Sequence, residues 1–308
     1  RCWFSKLSKA LLQFGFVQSY SDYSLFLYTK GSVEIRVLVY VDDLVIASNS
    51  LDKLTKFKEY LGQQFHMKDL GKLKYFLGIE VARTEEGIFL SQRKYIMDII
   101  DDMDLQDARP ACTPVEQNHK IASDQSPLLS DPKIYRRLVG RLVYLSMTRP
   151  ELCYSIHLLS QFMKSPREGH LEAALRVVRY LKGSLDQGIL MSSDKNLDLS
   201  IYCDADWSSC PVSRRSLSSF VVLLGDSPVT WKTKKQDTVA HSSAEAEYRA
   251  MAKATREMKW IVPLVKDLGI PVPKPVSFFC DNQAAIYIAA NPVSVSYTHL
   301  TLPTICSV

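Results

Sequence analysis

The sequence predicts a mixed α/β (α+β) protein in two parts, with a small all-helical piece between them. Three observations carry that expectation. Residues 24–47 and 75–90 hold runs rich in Val, Ile, Leu and Tyr, split by short polar interruptions as hairpins are. Residues 133–182 hold three successive helical patterns and no strand pattern. From residue 197 strands come first, followed by a helix, a strand and a helix, which describes a compact α/β domain. A length of 308 residues suits two domains better than one.

The elements follow in order. Trp3, Leu7, Leu11, Leu12 and Phe14 recur at helical spacing, and Gly15 stops that helix. Strands are predicted at 24–28 and 34–47. Within the second, Ile35, Val37, Val39 and Val41 alternate with Arg36, Leu38 and Tyr40, and Asp42-Asp43 divides the run as a hairpin turn does. Ser50 is placed to cap a helix whose apolar positions are Leu51, Leu54, Phe57 and Leu61. Residues 75–81 and 88–90 form a second hairpin turning at Glu85-Glu86-Gly87, and Ser91 caps a helix to about Met103. The polar, proline-containing stretch 109–132 reads as a linker or a long surface loop. Helices follow at 134–145, 150–163 and 166–181, the last two opening on proline, with Gly183 closing the set. Strands at 197–203, 217–224 and 228–232, a helix at 243–268, a strand at 276–280 and a helix at 282–290 complete the pattern.

Composition excludes more than it assigns. A net charge of +5 and a pI near 8.7 are compatible with a polyanionic partner but do not identify one. The cysteines Cys2, Cys112, Cys153, Cys203, Cys210, Cys280 and Cys306 form no Cys-x-x-Cys pair and are odd in number, which argues against a disulfide framework or a zinc knuckle. Reduced thiols in an intracellular, cytoplasmic protein are expected. No apolar run reaches the length of a membrane span, no signal peptide is evident, and no membrane partner is expected. The chain starts at Arg1 inside an amphipathic helix pattern, so it reads as a piece of something longer.

Two groups of carboxylates carry candidate chemistry. Asp42 and Asp43 lie side by side between the apolar runs Val39-Tyr40-Val41 and Leu44-Val45-Ile46, with no glycine to ease a turn. Two like charges there cost repulsion and desolvation unless something compensates, and a hard divalent cation such as Mg²⁺ is the obvious compensator. A plain acidic turn is the alternative. The second group is Asp204 after strand 199–203, Glu245 near the start of the long helix, and Asp281 after strand 276–280. Each has a plainer explanation: a turn residue, a glutamate favoured by the helix dipole, an N-cap. Together, two strand-terminal aspartates and a helix-start glutamate can converge on paired metals at one end of a sheet. Glu247 competes with Glu245 for the glutamate role, and spacing alone does not choose.

The sequence around these acids resembles copia-type retrotransposon Pol polyproteins. Tyr40-Val41-Asp42-Asp43 is similar to the Tyr-x-Asp-Asp hairpin of reverse transcriptases, and RCWF at 1–4 resembles the segment before it. GKLKYFLGIEV (71–81), GIFLSQRKY (87–95), YRRLVGRLVY (135–144) and TRPE (148–151) look like the stretches that follow it. YCDADW, SRRSLSSFVVLLG, VTWKTKKQ, SSAEAEYRAM and CDNQAAIYIAANP resemble the RNase H domain of the same polyproteins, in the expected order to about residue 293. The resemblance implies the end of a reverse-transcriptase palm at 1–115, a linker and a thumb- or connection-like helical subdomain at 116–195, an RNase H-like domain at 196–293, and an unrelated tail at 294–308.

It also implies metal-ligand roles for Asp42, Asp43, Asp204, Glu245 and Asp281, with Mg²⁺ or Mn²⁺ as cofactor. The expected reactions are RNA-directed DNA synthesis and two-metal hydrolysis of RNA in RNA–DNA hybrids. Template-primer, the hybrid and the remainder of the Pol polyprotein are the implied partners. Arg214, Arg215, Lys232, Lys234, Lys235, Ser243 and Asn282 are candidate nucleic-acid contacts, with a solvated basic face as the alternative for the lysines. Ser242 belongs with them, and His241 is most simply a polar residue before a helix.

Two departures from the family pattern put activity in doubt. A further palm aspartate belongs upstream of the Trp3-Phe4 segment, so the expectation is that this chain does not polymerise by itself. Residues 294–308 hold no acidic residue, so the final carboxylate of the nuclease pattern is missing, and His299 is not a convincing substitute. The tail is expected to be foreign, and either disordered or a poor strand. Beside the enzyme reading stand a non-catalytic relic that binds hybrid or duplex nucleic acid, and an unrelated α/β domain with decorative acids, which the ordered blocks argue against.

Overall fold

The computed structural model describes residues 2–272 and 275–290; the expectations for 294–308 fall outside them. The fold is mixed α/β and divides into two units, one of residues 1–76 with 257–274 and one of the rest.

The first unit opens with α1 (Cys2–Phe14), β1 (Val17–Gln18), β2 (Leu25–Lys30), β3 (Val33–Tyr40), β4 (Asp43–Ser48), α2 (Leu51–Gln64) and the short β5 (Tyr75–Phe76). Strands β1 to β4 pair in sequence order as an antiparallel sheet. Leu7 and Leu11 of α1 and Phe57 and Leu61 of α2 pack with Phe26, Tyr28, Ile35, Val37 and Val39 in one core. The alternation along β3 therefore reads correctly as far as Val39. Val41 does not continue it; that residue is exposed in the turn. Gly15 ends α1 at φ +109, and the Ser50 hydroxyl accepts the Lys53 N–H as the cap of α2. Leu51, expected on the apolar face of α2, is instead 79% exposed at the first position of the helix, whose buried residues Phe57 and Leu61 lie further along it. Residues of the 257–274 stretch close this unit: Trp260 Nε1 donates to Ser21 O at 3.0 Å, and Ser19 Oγ to Asp267 Oδ2 at 2.6 Å.

In the second unit β6 (Ile79–Arg83), β7 (Gly87–Ser91) and β8 (Ile189–Ser192) form an antiparallel sheet. The sequence did not announce β8, whose apolar signal is only Ile189-Leu190-Met191. Helices α3 (Arg93–Asp102), α4 (Pro132–Leu145), α5 (Cys153–Ser160) and α6 (Glu168–Lys182) share one core around Ile96, Ile99, Tyr135, Leu142, Leu159 and Val177. Ser91 does not cap α3. It ends β7, and Gln92 takes the cap position without a side-chain capping bond, while Glu80 of β6 accepts the Lys94 N–H at 2.8 Å. Pro150 opens a 3₁₀ turn ahead of α5, and Arg167, not Pro166, is the N-cap of α6. The 109–132 stretch is a surface loop fastened along α6, through Ala111 N–H to Arg179 O at 3.2 Å and an Arg176–Glu116 ion pair at 2.8 Å.

The C-terminal sheet contains β9 (Leu199–Asp206), β10 (Leu217–Leu224), β11 (Ser227–Lys235) and β12 (Ser277–Phe279), in the order β11-β10-β9-β12. The first three are antiparallel, and β12 runs parallel to β9 with Phe279 opposite Tyr202. Helix α7 (Ser243–Asp267) begins in this unit, and α8 (Gln283–Ala290) follows β12. Among the described residues no helix is long and apolar enough to cross a membrane.

Arg149, in the Thr-Arg-Pro-Glu block, is 1% exposed. Its guanidinium donates to Glu151 Oε1 at 2.6 Å, Ser184 O at 3.0 Å, Ser184 Oγ at 2.7 Å and Gln187 Oε1 at 2.9 Å, which ties the 3₁₀ turn to the end of α6. Next to it the Thr148 hydroxyl donates to Gln92 Oε1 at 2.8 Å. The block is therefore a buried polar fastening. Arg149→Ala leaves four acceptors unpaired and is expected to cost about 3–5 kcal/mol in urea unfolding. Arg176→Ala, at an exposed ion pair, is expected to cost at most about 1 kcal/mol. Equal losses from the two variants would refute this account of Arg149.

Candidate functional site

β12 ends at Phe279, opposite Tyr202, so β9 runs on past its parallel partner from Cys203 to Asp206. Asp204 lies inside β9, and not after the strand as expected; it sits on the exposed side of an alternation in which Ile201, Cys203 and Ala205 are buried. Where β12 has stopped, the Ala205 N–H is taken by a side chain instead of a strand: Glu247 Oε1 accepts it at 3.1 Å. Asp281, just beyond β12 and exposed, stands by the same carboxyl. The nearest oxygens of Glu247 and Asp281 and the Cys280 sulfur all lie within 4.8 Å of one another. Asp204 stands close enough for its charge to act on the Glu247 carboxyl.

Of the two glutamates that the sequence left in competition, the structure brings Glu247 to the two aspartates and holds Glu245 elsewhere. Both are buried, 5% and 4% exposed, but on different errands. Ser242 Oγ accepts the Glu245 N–H at 3.1 Å, and Glu245 Oε2 accepts the His241 N–H at 2.8 Å, a capping arrangement at the start of α7. The other oxygen of Glu245 receives two bonds from Arg249, at 3.0 and 2.8 Å. A signal for this was present in the Ser-x-x-Glu spacing of Ser242 and Glu245, which marks a cap and leaves Glu247 free for other work. Asn282, not Asp281, caps α8: its side chain accepts the Ala285 N–H at 2.9 Å.

The electrostatics separate the two glutamates further. Burial, helped by the neighbouring negative charges of Asp204 and Asp281, pushes the Glu247 carboxyl from the ordinary 4.5 up to about 7, against the pull of the Ala205 N–H. Burial acts on Glu245 too, but the His241 N–H and the Arg249 guanidinium outweigh it and hold that carboxyl below its ordinary value.

In the first unit, Asp42 and Asp43 occupy the tip of the β3–β4 hairpin. Tyr40 pairs with Asp43, so the two turn residues are Val41 and Asp42 and the turn lies one residue earlier than the sequence suggested. Val41 adopts φ +51, a conformation that strains a β-branched residue, and its carbonyl accepts the Trp3 indole N–H at 2.9 Å. Both aspartates are exposed.

Among the candidate nucleic-acid contacts, Arg214, Arg215, Lys232 and Lys234 are exposed, as is Ser243 at the start of α7. Lys235 is engaged internally: its N–H donates to His157 Nε2 at 3.1 Å, and its ammonium contacts Gln161 and Cys210. Sequence reasoning passed over Lys253 of α7, whose Nζ lies buried without a hydrogen-bond partner among the described residues.

Residues 1–117 match the family model described as reverse transcriptase (RNA-dependent DNA polymerase). The chain is 42% identical over 293 residues to the Retrovirus-related Pol polyprotein from transposon RE1 of Arabidopsis thaliana, covering 95% of this chain and 20% of that protein. It is 32% identical to the putative transposon Ty5-1 protein of Saccharomyces cerevisiae over 83% of this chain and 84% of that protein. An uncharacterized mitochondrial protein of Arabidopsis thaliana is 36% identical over 73% of this chain and 93% of its own length. The chain spans about a fifth of the Pol polyproteins it matches.

The raised Glu247 carboxyl makes a stability prediction. The folded state holds that proton more tightly than the unfolded chain, so stability contributed by Glu247 is present at low pH and is lost as pH rises from about 4.5 through about 7. Without divalent cations at pH 8, Glu247→Gln is expected to raise unfolding stability by on the order of 2 kcal/mol. Glu245→Gln is expected to lower it by about 1–2 kcal/mol, through the lost cap and Arg249 bonds. Thermal unfolding at pH 5 and pH 8 checks both signs, and the gain from Glu247→Gln must shrink at pH 5.

Proposed function

The chain belongs to the transposon Pol family, with a reverse transcriptase-like segment at 1–117, and we propose that its C-terminal sheet is a metal-dependent ribonuclease H acting on the RNA strand of RNA–DNA hybrids. The observation that carries the proposal is the convergence of Asp204, Glu247 and Asp281 from β9, α7 and the end of β12. Among the described residues the Ala205 N–H and the weak Cys280 thiol are the donors that reach Glu247, the one of these three carboxyl groups that is driven toward neutrality. Such a donor set suits Mg²⁺ or Mn²⁺, which prefer carboxylate oxygens. When bound, the metal supplies a polarised phosphodiester and an activated water.

The chain's own residues do the holding. Asp204 is fixed by the strand and Glu247 by the Ala205 N–H, while Asp281 stands just ahead of the α8 cap. Exposed Arg214, Arg215, Lys232 and Lys234 lie on the loop and edge strand of this sheet, where phosphate contacts give salt-dependent, sequence-independent affinity. The proposed domains are a palm part at 1–115, the linker and helical subdomain at 116–195 and the nuclease at 196–293. Asp42 and Asp43 are proposed as metal ligands of the polymerase. The chain spans about a fifth of the Pol polyproteins it matches, so the polymerase reading is one of a part that works with the remainder of the polyprotein.

The test is cleavage of a labelled hybrid by the chain, with and without Mg²⁺. Asp204→Asn, Glu247→Gln and Asp281→Asn are each expected to lower the rate by more than about a hundredfold, since even outer partners of metal ligands are worth about 10–100-fold. Glu245→Gln is expected to retain activity wherever it stays folded. Metal-independent, salt-sensitive hybrid binding with no cleavage would replace this reading with that of a binding relic.

A further inference from the structure

Cys280 is the one residue of the carboxylate cluster that Mg²⁺ chemistry does not use. It sits one position past the end of β12, half-buried, with Sγ 3.9 Å from Glu247 Oε2. Its sulfur belongs to the three-donor set with Glu247 and Asp281, all within 4.8 Å of one another. Cys203 of β9, buried, lies beside it.

The spacing suits a tetrahedral cation. Zinc bonds sulfur at about 2.3 Å and carboxylate oxygen at about 2.1 Å, which puts two such donors about 3.6 Å apart. The Cys280–Glu247 contact is already near that value, and the widest separation in the set needs to close by only about 1 Å. Hard Mg²⁺ takes oxygen and leaves a thiol aside, whereas thiolates select softer ions.

We propose that Glu247, Cys280 and Asp281 form a mixed sulfur–oxygen site for a thiophilic divalent cation, Zn²⁺ or Cd²⁺, which occupies the carboxylates otherwise open to Mg²⁺. The proposal rests on the same acids as the nuclease reading, but its chemistry is that of the thiol. Binding displaces the Cys280 proton to solvent and forms a metal–sulfur bond. A zinc-type ion seated there holds Glu247 and Asp281 and acts as an inhibitor of the site.

The experiment titrates the full chain with Cd²⁺ in a non-chelating reductant and follows the ultraviolet thiolate-to-metal charge-transfer absorbance, with circular dichroism to check folding. The expected result is one saturable absorbance change in the wild type that persists in Cys210→Ser. Cys280→Ser and Cys280→Ala are both expected to abolish it, and Glu247→Gln to weaken Cd²⁺ binding at least about tenfold. An unchanged signal in the folded Cys280 variants, or no signal in the wild type, overturns the proposal. Hybrid cleavage is measured separately. A Cys280-dependent signal in a chain that never cleaves would sink the nuclease reading and support this one, and cleavage with a Cys280-independent signal would do the reverse.

Discussion

Ala205 on β9 and Ala240, Ala246 and Ala250 around the start of α7 meet one another with little more than methyl groups. Small side chains let a helix lie close to a strand, and here that closeness decides the chemistry. Glu247 follows Ala246 directly, so its carboxyl reaches the Ala205 N–H that the shortened β12 leaves without a strand partner. Gln236 reinforces the approach from the neighbouring strands, donating to Ser218 Oγ and to Ala246 O, both at 2.9 Å. Trp207 adds a further tie, from its indole N–H to Ala240 O at 3.0 Å. The acids at the sheet's end owe their positions to these contacts.

The two carboxylate groups of the chain live in opposite environments. Asp42 and Asp43 stand at a hairpin tip where water solvates them, so their mutual repulsion is weakened. Glu247 is withdrawn from water beside other acids, where burial favours its protonated form. Water tolerates the first arrangement by itself, whereas the second is a constraint that the fold imposes and something else has to relieve.

Much of this was legible in the amino-acid sequence, for identifiable reasons. The alternation of Ile35, Val37 and Val39, the Ser50 cap and the three helical patterns after residue 133 are local signals, and each element formed where they pointed. What the sequence hid was decided elsewhere in the chain. β8 exists because β7 offers it a partner, not because Ile189-Leu190-Met191 is distinctive. The cap of α3 comes from Glu80 on a different element, so Ser91 misled. Glu245 and Glu247 are indistinguishable by spacing, and only the Ser242 capping pattern and the free Ala205 N–H tell them apart. Arg149 looked like part of a family signature, and its four acceptors give that signature a structural cause.

Val41 remains an oddity with a lesson about tolerance to change. A β-branched residue at φ +51 stores strain of about 1–3 kcal/mol, which glycine would relieve. Glycine would also free the backbone that aims Asp42 and Asp43, leaving the Trp3 indole to restrain it alone. Folding favours one residue at this position and accurate aim favours another. Genetic drift there is therefore a gauge of selection: a lineage that has stopped using the two acids is free to take the relaxed residue, and one that still uses them is not.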